Sequence, residues 1–301
     1  MAPSTETAAP RSLRSTVGAY VALTKPRIIE LLLITTVPTM IVADRGLPAV
    51  WLMAATVIGG TLAAGGANAI NMYVDRDIDR LMVRTQNRPL VTGAVKPTPA
   101  LVFALVLELM AFLELWLVVN LLSAVLALSA TAFYVFVYTL WLKRTSKQNI
   151  VIGGAAGAVP VLVGWAAVTD RLALAPVLLF VIIFVWTPPH FWALAVRYRE
   201  DYAVAEIPMM PVVTSLGATA WRILGYTLAL WAASLAFASV AGMGLLYWTA
   251  AVVLGAVFVL RSVQLIRTQT PKQAMRLFGW SITYLSLLFV SMAADQLVRH
   301  P

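Results

Sequence analysis

The chain contains no cysteine and only two histidines, His190 and His300. Without thiols it can form neither a disulfide nor a thiolate metal site, and two histidines are too few for a histidine-rich metal centre. Charge is also scarce, since 12% of the 301 residues are charged whereas 61% are hydrophobic. Soluble domains carry roughly a quarter charged residues, so the composition excludes an ordinary soluble protein.

Long apolar runs fill most of the remaining sequence, and many reach the ~20 residues that a helix needs to cross a bilayer. Because the lipid interior offers no hydrogen-bond partners, each span must satisfy its own backbone, which favours helices. We therefore predict an all-α integral membrane protein with about nine transmembrane helices. The predicted spans lie near 21–43, 50–74, 98–119, 121–142, 149–168, 172–196, 217–240, 245–266 and 276–298.

Loops of two kinds alternate between these spans. One set is short and nearly free of cations. The other set is longer and, together with the N-terminal segment, holds all lysines and arginines except Arg45, Arg171 and Arg299. The positive-inside rule then places the N-terminus and the basic loops in the cytoplasm and, with nine spans, the C-terminus outside. This asymmetry accounts for most of the net charge of +9, so no nucleic-acid partner is needed to explain it.

The sequence predicts one domain with a short tail. Residues 1–18 are rich in Ala, Pro, Ser and Thr, which is typical of a flexible segment, and residues 19–301 form the transmembrane domain. Two segments, 21–142 and 149–266, each contain an apolar helix that runs into acids and arginines on the same side of the membrane. We expect them to be a parallel internal repeat, with 276–298 as a final helix.

A cluster of acids ends the second predicted span. Asn71, Asp75 and Asp79 are spaced four residues apart, so on a helix they project from nearly one face, and Asn68 lies one turn earlier on the same stripe. Carboxylate and amide oxygens are the ligands that Mg²⁺ prefers, with phosphates and waters completing its shell. Asp77 points away from this stripe and is expected to do something else.

The alternative is a solvated helix end in which the acids pair with Arg76 and Arg80. A magnesium site is favoured because the acids continue directly from an apolar span, where ionisable groups are usually functional. Arg84 and Arg88 follow the acids, and guanidinium groups bind phosphate oxygens in a bidentate way. Together these residues predict a site for a magnesium-bound diphosphate.

The sixth predicted span ends in a weaker version of this pattern. Asp201, with Glu200 or Glu206, could bind a second Mg²⁺, or Asp201 could simply pair with Arg197 four residues earlier. His190 is either a hydrogen-bonding core residue or part of a pocket. The tryptophans and tyrosines of the chain fit an interfacial belt, but some could line a cavity and stabilise a carbocation: Tyr134, Tyr138, Trp192 and Tyr198.

These motifs resemble those of the UbiA superfamily of intramembrane prenyltransferases. The matching residues run from Asn71 through Asp75 and Asp79 to the segment 84–90, RTQNRPL. Within that superfamily, the segments LTKPRI at 23–28, TPPHFWAL at 187–194 and DYAVAEIPMMP at 201–211 resemble the branch that farnesylates heme. Two positions depart from the common superfamily pattern: Met72 follows the first asparagine, and Ala205 replaces a second aspartate.

The resemblance implies a nine-helix bundle, farnesyl diphosphate and heme B as substrates, and Mg²⁺ as cofactor. It implies that Asn71, Asp75, Asp79 and Asp201 act in metal binding and catalysis, with Asn68 and Asp77 in support. Diphosphate binding would fall to Arg84, Arg88, Lys25 and Arg199, and the acceptor pocket to His190, Trp192 and Tyr198. It further implies a bacterial inner membrane, an active site facing the cytoplasm, and a heme A synthase or oxidase assembly factor as possible partner.

Two other functions remain open from the sequence. A related enzyme could prenylate an aromatic quinone precursor with the same fold and first motif. A transporter could use the acids to guide a cation or proton, but its site would be expected near the membrane midplane rather than at helix ends.

Overall fold

The computed structural model describes residues 12–300, except for the side chains of 27–33. In chain order the helices are α1 (Leu13–Thr24), α2 (Pro26–Asp44), α3 (Val50–Val74), α4 (Pro97–Glu114), α5 (Leu121–Ala132), α6 (Lys143–Thr145), α7 (Asn149–Thr169), α8 (Leu174–Arg197), α9 (Arg199–Val204), α10 (Met210–Val213), α11 (Leu216–Val240), α12 (Leu245–Thr268) and α13 (Pro271–Arg299). A 3₁₀ turn, Ile78–Arg80, follows α3, and π-helical segments Leu115–Val119 and Phe133–Leu142 extend α4 and α5. Within the described residues all regular secondary structure is helical.

Eight helices in the described part of the chain are long and apolar enough to cross a membrane. They correspond to the second to ninth predicted spans, so the all-helical membrane fold is confirmed. The first predicted span, 21–43, is not one helix, because Lys25 adopts a left-handed conformation (φ 53°) that separates α1 from α2. The count of nine spans and the orientation of the termini remain predictions.

The predicted tail needs a correction as well. Residues 1–11 lie outside the described part, but α1 begins at Leu13, so residues 13–18 are helical. Ser12 caps this helix, accepting a hydrogen bond from the Ser15 backbone N–H at 3.3 Å. The helix packs onto the domain through Leu23, which is buried, and through Tyr20, whose ring lies 5.0 Å from that of Phe103 in α4.

Small residues allow close packing of the helices. A Cβ added at Gly59 would clash with Leu115, and one added at Gly164 would meet the backbone of Thr36 at 2.9 Å. Such positions are typical of membrane bundles, where helices gain their contact from shape rather than from hydrophobic exclusion. The helices α2, α3, α5, α7 and α8 pack around a cavity instead of filling it. The proposed repeat of 21–142 and 149–266 remains a prediction.

Candidate active site

The acidic segment lies where α3 ends. The helix stops at Val74, and Asp75 and Asp79 continue through a turn in which the Asp79 N–H donates to the Asp75 carbonyl at 2.9 Å. The expectation of one continuous helix through Asp79 is therefore wrong in detail. Because the four-residue hydrogen-bond step persists across the turn, both aspartates still point inward, and each is fully buried.

Asp75 is held by two helices. Asn71 donates to its Oδ2 at 2.7 Å, and the ammonium of Lys143, the first residue of α6, contacts the same oxygen. The other oxygen, Oδ1, has no hydrogen-bond partner within the described residues, although an Arg144 nitrogen lies 3.9 Å away. A buried carboxylate oxygen without a partner is costly, so this atom is available for a ligand.

Asp79 has the same arrangement. Arg88 donates to its Oδ2 at 2.6 Å, and its Oδ1 has no hydrogen-bond partner in the part of the chain that the structure describes. Thr85 donates to the Asp79 backbone carbonyl at 2.8 Å, which fixes the turn between the aspartate and the arginine. Each aspartate thus has one oxygen bound to a cation of the protein and one oxygen without a hydrogen-bond partner among the described residues.

The two unpaired carboxylate oxygens fit a magnesium ion. Mg²⁺ is usually bound by one or two carboxylates, with waters and substrate phosphates completing its octahedron. Among the described residues no three acidic or histidine side chains converge, so a full protein cage is absent there. The donor set at Asp75 and Asp79 is therefore suited to a metal that shares its shell with a phosphate.

Lys25 reaches this site from the break between α1 and α2. Its ammonium donates to Asn71 Oδ1 at 2.9 Å, so both ends of the Asn71 amide are engaged. Asn68 donates to the Thr24 carbonyl at 3.2 Å and holds the break in place. Lys25 and Asn68 therefore fix the break between α1 and α2 against α3.

Arg84 and Asp201 connect two loops at this end of the bundle. The Arg84 backbone N–H lies 3.4 Å from Asp201 Oδ2, and its guanidinium lies 4.7 Å from the Tyr202 ring centre and 5.6 Å from that of Tyr198. Asp201 makes no ion pair with Arg197 in the described residues and does not line the cavity. Its predicted role as a metal ligand remains a prediction.

Asp77 faces away from the cluster, as expected. It is exposed and accepts two hydrogen bonds of 2.7 Å from the Arg144 guanidinium. These bonds hold the pKa of the Asp77 carboxyl at about 2, below its usual value. Asp77 therefore ties the loop after α3 to α6.

A cavity of about 390 Å³ extends from this cluster into the bundle. Four cations lie on its wall: Lys25, Arg84, Arg88 and Lys143. Arg199, predicted to bind diphosphate, is exposed and does not line it. Lys143 did not emerge from the sequence as a site residue. The sequence feature that could have identified Lys143 is its position, because it follows the fourth predicted span at the same end of the bundle as the acids.

The cavity wall has two regions. The deep part, between α3, α5 and α7, is lined by small or aliphatic residues: Gly60, Ala63, Ala64, Ala67, Ala127, Ala130, Val159 and Val163. Aromatic residues are gathered nearer the charged end: Tyr134, Tyr138, Trp186, Phe191 and Tyr202. The expectation that Tyr134 and Tyr138 line a cavity is confirmed, and their rings stack with centres 5.4 Å apart.

The three residues predicted for the acceptor pocket do not line the cavity. His190 is buried, stacks on Trp186 at 4.2 Å, and its Nδ1 lies 2.7 Å from the Ser281 hydroxyl. Trp192 is buried against Tyr226, and Tyr198 lies beside Arg84. The side of α8 that faces the cavity carries other residues: Ile183, Trp186, Thr187 and Phe191. His190 therefore supports a wall residue and is not itself part of the wall.

Known proteins are similar to this chain in sequence or in fold. The profile of the UbiA prenyltransferase family matches residues 32–291. A Frankia alni protein named protoheme IX farnesyltransferase is 54% identical over 289 residues, which cover 95% of this chain and 100% of that protein.

Solved structures of low sequence identity share the fold. A digeranylgeranylglyceryl phosphate synthase has a TM-score of 0.79 at 14% identity, covering 94% of this chain and 99% of its own. A UbiA homologue from Archaeoglobus fulgidus, solved with DMAPP and Mg²⁺, has a TM-score of 0.59 at 13% identity, covering 91% and 98% of the two chains.

Proposed function

The chain belongs to the UbiA prenyltransferase family, and we propose that it transfers a farnesyl group from farnesyl diphosphate to a vinyl group of heme B. The products are heme O and diphosphate. The observation that carries the proposal is the pair of unpaired oxygens on Asp75 and Asp79, beside four cations at the mouth of an apolar cavity. The name of the Frankia alni relative supports the choice of donor and acceptor.

Binding of the diphosphate follows from charge. Lys25, Arg84, Arg88 and Lys143 outnumber the two buried aspartates, so the side chains around the site carry an excess of positive charge that suits a polyanion. The free oxygens of Asp75 and Asp79 would hold Mg²⁺, and its charge would stabilise the diphosphate as the carbon–oxygen bond breaks. Participation of Asn71 in metal binding requires that its Oδ1 exchange Lys25 for the ion. A role for Asp201 at a second ion is part of the proposal.

The bond between the first farnesyl carbon and its oxygen breaks, and the electron pair leaves with the diphosphate. Charge on Lys143 and Arg88 stabilises the leaving group without further rearrangement, because both side chains are already held by buried carboxylates. The allylic cation that remains lies next to the stacked rings of Tyr134 and Tyr138, whose faces attract positive charge.

The farnesyl tail fits the deep part of the cavity. Its lining of glycine, alanine and valine between α3, α5 and α7 offers apolar contact, which the hydroxyls of Thr56 and Thr131 interrupt. Excluding water there protects the cation until the acceptor reacts.

Heme B fits the aromatic part. Trp186 and Phe191 present rings to the cavity, and Gly157 on the facing α7 leaves open space, since an added Cβ would meet no atom within 4 Å. The terminal vinyl carbon uses its π electrons to form the new carbon–carbon bond. Water then adds to the neighbouring carbon, loses a proton and becomes the hydroxyl group of heme O.

The site is proposed to face the cytoplasm of a bacterial inner membrane, because the basic loops lie at the same end as the acids. A heme A synthase or an oxidase assembly factor would receive the product. The transporter considered from the sequence is not favoured, because the charged site lies at helix ends.

Release of diphosphate tests the proposal. Purified protein with farnesyl diphosphate and Mg²⁺ should release diphosphate rapidly only when heme B is added, and EDTA should stop the release. Rapid release with an aromatic acid but not with heme B would support the quinone-precursor reaction instead. Absence of release with every acceptor would contradict prenyl transfer.

A further inference from the structure

Helix α1 presents an apolar stripe that is exposed in the described part of the protein. Leu13, Val17 and Val21, spaced four residues apart, are 81%, 54% and 51% exposed. The helix is anchored through side chains next to this stripe: Leu23 is buried, and Tyr20, three residues from Val17, contacts Phe103. The three exposed side chains therefore flank the face that attaches α1 to the domain.

We propose that this stripe lies in the bilayer interface, at the end of the protein that carries the basic loops. This position of α1 in turn holds Lys25 in the active site. Lipid is the expected contact of the stripe, because the stripe adjoins the exposed apolar surface of α4. The contact between Tyr20 and Phe103 sets α1 against the start of α4, whose exposed residues Val102, Leu105 and Val106 face the lipid. The stripe and these α4 residues are both apolar and exposed, and the Tyr20–Phe103 contact brings the two helices together, so we take them to form one lipid-facing surface.

The remaining face of α1 suits the headgroup layer. Ser15, Gly18 and Ala22 are exposed and small, Arg14 is the only charged residue inside the helix, and the helix has no acid. Helices with one apolar face and a small or cationic face lie in the plane of the interface, and a cation there gains from anionic lipid.

Two hydrogen bonds at the end of α1 connect this helix to the active site. The last residue of the helix, Thr24, accepts a hydrogen bond from Asn68 at 3.2 Å through its carbonyl. The next residue, Lys25, is left-handed and donates to Asn71 at 2.9 Å. A shift of α1 therefore moves Lys25 relative to the acids. This link to substrate binding rests on the proposed function, whereas the position of the stripe does not.

The absence of cysteine allows a direct test of the position. Val17→Cys and the matched control Ser15→Cys, roughly 160° apart around the same helix, are each labelled with an environment-sensitive fluorophore in liposomes. We expect a quencher on the lipid acyl chain near the headgroup to act on position 17, and iodide in water to act on position 15. Iodide quenching at both positions would overturn the proposal whatever reaction the enzyme catalyses.

The link to Lys25 is tested with charge. Val17→Asp should raise the KM for farnesyl diphosphate at least ~5-fold with kcat within ~2-fold, whereas Ser15→Asp should change neither beyond ~2-fold. Val17→Ser, which removes the apolar contact without adding charge, should raise the KM in the same direction. Unchanged KM in both Val17 variants, in an enzyme that makes product, would contradict the link and leave the proposed function intact.

Discussion

Lys143 and Asp75, 68 residues apart, form an ion pair in which the lysine ammonium contacts the carboxylate oxygen that also accepts from Asn71. The pair joins the start of α6 to the end of α3. It leaves the second Asp75 oxygen without a hydrogen-bond partner among the described residues. The lysine thus neutralises part of the charge of the buried acids and lines the cavity where diphosphate is proposed to bind.

Replacing Lys143 by methionine removes this charge while keeping most of the side-chain volume. Hydrogen bonds to charged groups contribute about 1.5–3 kcal/mol, so kcat/KM for farnesyl diphosphate should fall by roughly 10- to 100-fold. Steady-state kinetics measure the loss. Lys147→Met, four residues later and exposed, is the matched control and should stay near wild type. Equal kinetics in the two variants would remove Lys143 from the site.

Asp75→Asn and Asp79→Asn test the acids. Each removes a carboxylate proposed to hold Mg²⁺, which should lower turnover by about 10²-fold or more and weaken the dependence on Mg²⁺. Asp77→Asn is the control, because its carboxylate is exposed and pairs outward with Arg144. Turnover and magnesium titration distinguish the three variants. A loss in Asp77→Asn as large as in the other two would show that the charge of the segment, and not the buried pair, matters.

Gly157→Leu should fill the open space beside α7 and exclude the planar acceptor. We expect heme B binding, followed by its absorbance, to weaken at least ~10-fold, with farnesyl diphosphate affinity within ~3-fold of wild type. Gly225→Leu is the control, since Gly225 has equal open space and does not line the cavity. If Gly157→Leu instead weakens farnesyl diphosphate binding alone, this wall belongs to the prenyl tail.

Asp295 should stabilise the far end of the bundle. It is buried in α13 and accepts from the Gly244 backbone N–H at 2.6 Å and from that of Tyr247 at 3.3 Å, so it caps α12 from a neighbouring helix. Asp295→Ala leaves these donors unpaired, and the free energy of unfolding should fall by about 1–3 kcal/mol. Thermal unfolding in detergent measures the change against Asp44→Ala, an exposed acid at the end of α2. Equal melting temperatures would contradict the capping role.

Local sequence was enough to predict the membrane helices and the acidic centre. Apolar length marks a span irrespective of its neighbours, and the four-residue spacing of Asn71, Asp75 and Asp79 keeps them together even though α3 ends at Val74. The break at Lys25 was not predictable in this way. It requires a left-handed residue, which here is stabilised by contacts of Thr24 and Lys25 with α3.

The parts that could not be predicted depend on packing between distant segments. Lys143 becomes a site residue only because its helix ends beside α3, and the sequence shows merely that it is a basic loop residue. The phase of α8 relative to the cavity determines that Phe191 lines the wall whereas His190 packs against Trp186 and Ser281. Helical periodicity gives the faces of α8 but not which face meets the cavity.

The central claim is that this protein farnesylates heme B with magnesium, and mass spectrometry of the reaction products tests it most directly. Purified protein is incubated with heme B, farnesyl diphosphate and Mg²⁺ in water labelled with heavy oxygen, with and without EDTA. The account predicts a heme that has gained one farnesyl group and one hydroxyl group, with the label in the hydroxyl, and no such product with EDTA. Unmodified heme B, alongside clean prenylation of an aromatic acid, would contradict it.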